Sequence, residues 1–206
     1  MIVAYHCIFT TYGFWLPNDP RGSYSDHVGA RELFCIGGKA TTTNTRRSVA
    51  HSPHNQALRA QAKDVLTYPP VRFGGLQARA VGRGFAEAAA KSNYIIYACA
   101  ILPEHVHIVI ARPRWPIERV VGHLKRSATL ALVHENLHPL AAHQTTRGKP
   151  PSPWAEGGWS VYLDPDDIQR AIRYVEQNPI KEGKPPQRWS FVKPFSHNAR
   201  QQNAAG

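Results

Sequence analysis

Tyr94-Ile95-Ile96-Tyr97-Ala98-Cys99-Ala100-Ile101-Leu102-Pro103-Glu104-His105-Val106-His107-Ile108-Val109-Ile110 carries the clearest structural pattern in the chain. Two apolar runs rich in β-formers flank Pro103-Glu104, and Pro113 closes the second. The segment therefore reads as two strands joined by a tight turn, a β-hairpin. Side chains alternate across a strand, so His105 and His107 share one face while Val106 and Ile108 point to the other. Two imidazoles side by side can hold one divalent cation. The plainer alternative is a polar pair on the solvated face of a half-buried strand.

Upstream, residues 2–12 are again rich in β-formers and end at Gly13 with a turn-rich exit. Periodicity is poor over residues 23–75, which read as a basic insertion or long functional loop with a short helix at 56–66. The alanine-rich residues 85–93 are predicted helical. After the hairpin, Pro116 opens an amphipathic helix with Ile117, Val120, Val121, Leu124, Ala128, Ala131 and Leu132 on its core stripe. Residues 138–153 form a Pro/Thr/basic linker, and 154–163, centred on Gly157-Gly158, suggest a short hairpin. Asp164-Pro165-Asp166-Asp167 caps a last helix that ends before Pro179. The expected class is α+β: one domain over residues 1–206 with a ferredoxin-like antiparallel sheet, helices on one face, the insertion after the first strand, and a flexible tail at 193–206.

The chain has 206 residues, 42% of them hydrophobic, enough for one well-packed domain with large loops. No apolar run approaches bilayer length and no leader pattern opens the sequence, so a cytoplasmic, non-membrane protein is expected. Three scattered cysteines, Cys7, Cys35 and Cys99, exclude a zinc ribbon and a disulfide framework. A net charge of +11 and a pI near 9.9 favour nucleic acid as partner. A membrane surface would call for a long basic amphipathic helix, and none dominates.

On a helical wheel of roughly 100° per residue, Ile168, Ala171, Ile172 and Val175 form the buried stripe of the last helix. Tyr174 sits on its polar edge. Asn178 lies about 40° from Tyr174, Gln177 about 60° away on the other flank, and Glu176 nearly opposite. A site facing Tyr174 is thus open to Asn178, and to Gln177 as the alternative. An amide oxygen suits a hard divalent cation.

The His105-Val106-His107 strand, the helix after it, and Tyr174-Val175-Glu176-Gln177-Asn178-Pro179-Ile180-Lys181-Glu182-Gly183 together resemble the IS200/IS605-type single-tyrosine transposases of the HUH (His-hydrophobic-His) endonucleases. Phe9-Thr10-Thr11-Tyr12-Gly13-Phe14-Trp15-Leu16-Pro17 and Asp19-Pro20-Arg21-Gly22 look like their REP-associated tyrosine transposase relatives. The resemblance covers about the first 20 residues and 94–192. It implies a ferredoxin-like fold and metal-dependent cleavage and rejoining of single-stranded DNA, with hairpin-forming ends as the expected substrate in DNA transposition. It maps Tyr174 onto the nucleophile that forms a 5′-phosphotyrosine, and His105 and His107 onto the metal pair. Asn178 stands where the insertion-sequence enzymes carry glutamine. Mg²⁺ or Mn²⁺ suits a phosphodiester substrate and an oxygen ligand better than zinc does. The resemblance leaves monomer and homodimer open.

Lys125, with Arg119 and Arg126 on the same helix and Arg46 and Arg47 in the insertion, are candidate DNA contacts, each against the alternative of a solvated charge. Trp15, Trp154, Trp159 and Trp189 are candidate base-stacking residues, against the alternative of core packing. His51 and His54 lack a third ligand and receive no metal role. Two rivals to the transposase reading stand: a non-catalytic nucleic-acid binder on the same fold, and a metal-dependent nuclease without a covalent intermediate.

Overall fold

The computed structural model describes residues 3–14, 16, 19, 31–38 and 53–196. Strands β1 (Ala4–Thr10), β2 (Ile96–Ile101), β3 (His105–Ala111) and β4 (Trp159–Leu163) form one sheet in the order β2-β3-β1-β4, every neighbouring pair antiparallel. The helices are α1 (Arg31–Gly37), α2 (Gln56–Asp64), α3 (Gly75–Ser92), α4 (Ile117–His134) and α5 (Pro165–Lys181). This is the expected α+β class, and the strand order with helices crossing between β1 and β2 and between β3 and β4 is ferredoxin-like.

The alternation of β1 and β3 sends Cys7, Phe9, Val106, Ile108 and Ile110 to one face, where Val81 and Phe85 of α3 and Val120, Leu124 and Ala128 of α4 close over them. Ala4, Ala98, Ala100, Val109 and Leu163 line the other face, against Ile168, Ala171, Ile172 and Val175 of α5. The two crossover helices therefore share a face as expected, but α5 does not join them. The second face is also apolar, and its small residues Ala98 and Ala100 admit a helix at close range. That arrangement lays α5 across the face that carries His105 and His107.

Three boundaries differ from expectation. Helix α3 begins at Gly75, well before residue 85, because its glycines obscure the helical pattern. Gly84 is needed for packing: a Cβ there would lie 2.6 Å from the Ala128 backbone of α4. Residues 154–163 form no hairpin; β4 pairs with β1 (Ile8 opposite Trp159, Ala4 opposite Leu163), while Trp154 is buried and its indole N–H donates to the Lys125 carbonyl. Helix α5 continues through Pro179 to Lys181, since a proline in the last turn forfeits only one backbone bond.

The C-terminal edge of the insertion belongs to the core. Val71 and Phe73 are buried, and their N–H groups donate to the carbonyls of Tyr12 and Pro103. At the other end Lys193 N–H donates to the Ile96 carbonyl and Phe195 packs on Tyr97, which ties residues 193–196 of the expected tail to β2. Arg46, Arg47, Trp15, His51, most of 23–52 and residues 197–206 lie outside the described residues. Cys7 and Cys99 are buried thiols, and burial raises the Cys7 pKa to about 12. Among the described residues no helix is long and apolar enough to cross a membrane.

Candidate functional site

The register of β1 against β3 sets Ile8 opposite His107 and Thr10 opposite His105, so His6, two residues before Ile8, shares their face. The result is a cluster of three imidazoles. His105 and His107 lie edge to face with ring centres 4.9 Å apart. His6 stacks on His107 at 5.3 Å, and its Nε2 lies 3.1 Å from His107 Nδ1, a hydrogen bond between buried groups.

Helix α5 carries Tyr174 over this cluster. Its ring meets the edges of His107 at 5.5 Å and of His6 at 5.7 Å, while 38% of the residue stays exposed. Lys181 places its ammonium 5.2 Å from the centre of the Tyr174 ring. One turn beyond Tyr174, Asn178 is buried toward the sheet while Gln177 is exposed, so of the two candidate amides Asn178 faces inward. Glu182, a further turn on, brings Oε1 to 3.6 Å from His105 Nε2.

Burial shapes the electrostatics. It lowers the His6 pKa to about 4. It also holds His107 well below the ordinary imidazole value, and positive charge on His105 or His6 would push it lower still. His6 and His107 are therefore neutral at physiological pH, the form in which imidazole binds a cation. Among the described residues no group of three or more His, Cys, Asp or Glu side chains is arranged to hold a metal. The donors at hand are the imidazoles of His105 and His107 and the buried amide of Asn178. Such a set suits a hard cation that keeps open positions for substrate.

The loop after β1 and the insertion brace the cluster. Phe14 stacks on His105 at 5.4 Å with an interplanar angle of 12°. Arg59 of α2 lies over Phe14, donates to its carbonyl at 3.3 Å, and pairs at 3.3 Å with the fully buried Asp19.

Of the candidate DNA contacts, the described ones, Lys125, Arg119 and Arg126, belong to α4. Helix α4 lies across the sheet from the imidazoles. Lys125 Nζ donates to the carbonyls of Ala155 and Gly157 and sits 5.5 Å from the Phe9 ring centre, and burial lowers its pKa to about 8. Half-buried Lys125 thus ties α4 to the loop before β4. Arg126 is exposed on α4, and Arg119 is exposed and stacks on Trp115. Of the tryptophans singled out in the sequence, Trp154 is core, while Trp159 and Trp189 are half-buried.

His6, Glu182 and Phe14 were missed as site residues. Alternation along β1 places His6 on the face opposite Cys7 and Phe9, but only the pairing with β3 brings it to His107. For Glu182 a signal existed: positions 174, 178 and 182 are four apart and follow one helix face.

No family model and no curated protein matches the chain. Two solved structures resemble it in shape. One is a REP-associated tyrosine transposase bound to a REP hairpin, with a TM-score of 0.45 and 13% identity over 88% of this chain and 68% of that one. The other is a candidate transposase from Deinococcus radiodurans, with a TM-score of 0.40 and 12% identity over 86% of this chain and 91% of that one.

Proposed function

We propose that the chain is a DNA-processing enzyme that cuts and rejoins one strand through Tyr174, as the single-tyrosine transposases it resembles do. The observation that carries this reading is the placement of the Tyr174 ring against His107 and His6, with the ring still open to solvent. In the reaction the phenolic oxygen forms a bond to phosphorus while the bond from phosphorus to the 3′-oxygen breaks. The phenol gives up its proton and the leaving 3′-oxygen takes one, and attack by a 3′-hydroxyl reverses the exchange.

His105, His107 and Asn178 are the residues that would hold Mg²⁺ or Mn²⁺, while Glu182 pairs with His105 at 3.6 Å. Such a cation, when bound, polarises a non-bridging phosphate oxygen. The chain's own residues orient the groups. If His107 Nδ1 carries the ring proton and donates to His6 Nε2, His107 Nε2 presents its lone pair to the site. Phe14 and Arg59 limit the rotation of His105. Lys181 sets positive charge beside the phenol, where the phosphate charge must be held.

The Glu182 carboxylate near His105 favours one second reading, a metal-dependent nuclease in which water attacks and Tyr174 stands by. Labelled single-stranded hairpin DNA with Mg²⁺ or Mn²⁺ separates the two. The transposase reading expects a protein–DNA adduct that survives a denaturing gel and disappears in Tyr174→Phe. Cutting by Tyr174→Phe at the wild-type rate, with no protein attached to the product, selects the nuclease.

A further inference from the structure

At the end of the sheet away from His105, the chain leaves β3 through Arg112-Pro113-Arg114-Trp115 and enters α4. The span from His105 to Ala111 along β3 is about 20 Å. Here a cleft of about 490 Å³ is lined by Lys91, Tyr94, Ile95, Arg112, Arg114 and Trp115. Trp115 is 49% exposed, and the guanidinium carbons of Arg119 and Arg114 stand 4.9 and 5.9 Å from its ring centre. Among the described residues Arg112, Arg114 and Arg119 are in no ion pair with a carboxylate. The pair of Lys91 with Glu87 is the one compensated charge of the cleft.

We propose that this cleft is a second nucleic-acid site, in which a base of the single strand stacks on Trp115 while Arg112 and Arg114 hold the flanking phosphates. A core tryptophan would be buried, as Trp154 is, whereas Trp115 keeps half its surface open beside two guanidiniums. An indole platform beside unpaired arginines is the combination that single strands exploit, since every base offers a π-face and every linkage a charge. The cleft belongs to the strand flanking the cut rather than to the scissile bond, because the imidazole cluster lies toward the other end of β3. The proposal rests on the single-strand DNA reading above and adds the residues that grip the strand at a distance.

The test is binding of a labelled, unstructured oligothymidylate by fluorescence anisotropy, with a chelator present so that nothing depends on strand cleavage. Trp115→Ala should weaken binding about ten-fold, and Trp115→Phe should recover most of the loss. Arg112→Ala combined with Arg114→Ala should flatten the dependence of log affinity on log salt by about 0.7 per lost contact, a slope that Trp115→Ala leaves alone. Circular dichroism confirms that each variant is folded. Affinity within two-fold of wild type in Trp115→Ala overturns the stacking role, as does inorganic polyphosphate binding with the same Trp115 dependence. A protein that forms the Tyr174 adduct yet ignores Trp115 overturns the cleft alone. Failure of the wild type to bind any single strand overturns both.

Discussion

His107 shows how much one hydrogen bond decides. A buried imidazole with two ring nitrogens can present either, and the 3.1 Å contact with His6 Nε2 ties up Nδ1. His6 is a positioning residue on this account. His6→Phe should weaken Mn²⁺ binding, measured by calorimetry, by about 10- to 100-fold, the usual cost of losing the partner that orients a metal-binding histidine. His6→Asn, which keeps an acceptor on a shorter side chain, should recover part of that loss. Equal Mn²⁺ affinity in wild type and His6→Phe would remove His6 from the site. The His-x-His pair and Tyr174 were legible in sequence because alternation and helix periodicity are local. His6 was not, because its role depends on the register between strands a hundred residues apart.

Elements set the positions of these residues. Helix α5 delivers Tyr174 because Ala98 and Ala100 clear a path for it on the second face, and its apolar stripe was readable from spacing alone. The face it would cover was not readable, since an amphipathic stripe names no partner. On the opposite face the glycine at 84 lets α3 approach α4. Gly84→Val places side-chain atoms where the Ala128 backbone now lies, so it should cost about 1–3 kcal/mol in a urea titration. A midpoint equal to that of wild type would refute the close approach. Helix α2 acts at longer range, through Arg59 and Phe14 onto His105. Arg59→Ala should lower Mn²⁺ affinity without moving the oligothymidylate affinity, and a variant with unchanged Mn²⁺ binding would show that the brace is idle. The basic character of the insertion was plain in sequence. That α2 reaches a histidine strand far along the chain was not, because it rests on Asp19 and Arg59 meeting only in the fold.

At the scale of the molecule, the charge surplus and the buried histidines govern behaviour in solution. His6 falls to about 4 on folding, and burial lowers His107 and His138 as well. A lowered folded pKa means that the unfolded chain takes up the proton first. The associated stability is therefore complete above pH 6.5 and is lost as pH falls toward 4. For His6 alone the loss is on the order of 3 kcal/mol. Urea titrations of the metal-free protein should show stability falling across this window, and His6→Phe should flatten the fall. A flat profile in wild type would contradict neutral burial. The antiparallel α+β class was legible because a hairpin and two amphipathic helices leave few arrangements, and the division of helices between two faces was decided by packing that no local pattern reports. Whether Tyr174 makes the covalent bond to DNA is read by peptide mass spectrometry of the adduct formed with single-stranded hairpin DNA and Mn²⁺. The expected spectrum carries a nucleotide mass on the peptide containing Tyr174, localised to that side chain; a nucleotide on any other residue, or cleaved DNA with every peptide unmodified, rules Tyr174 out as the nucleophile.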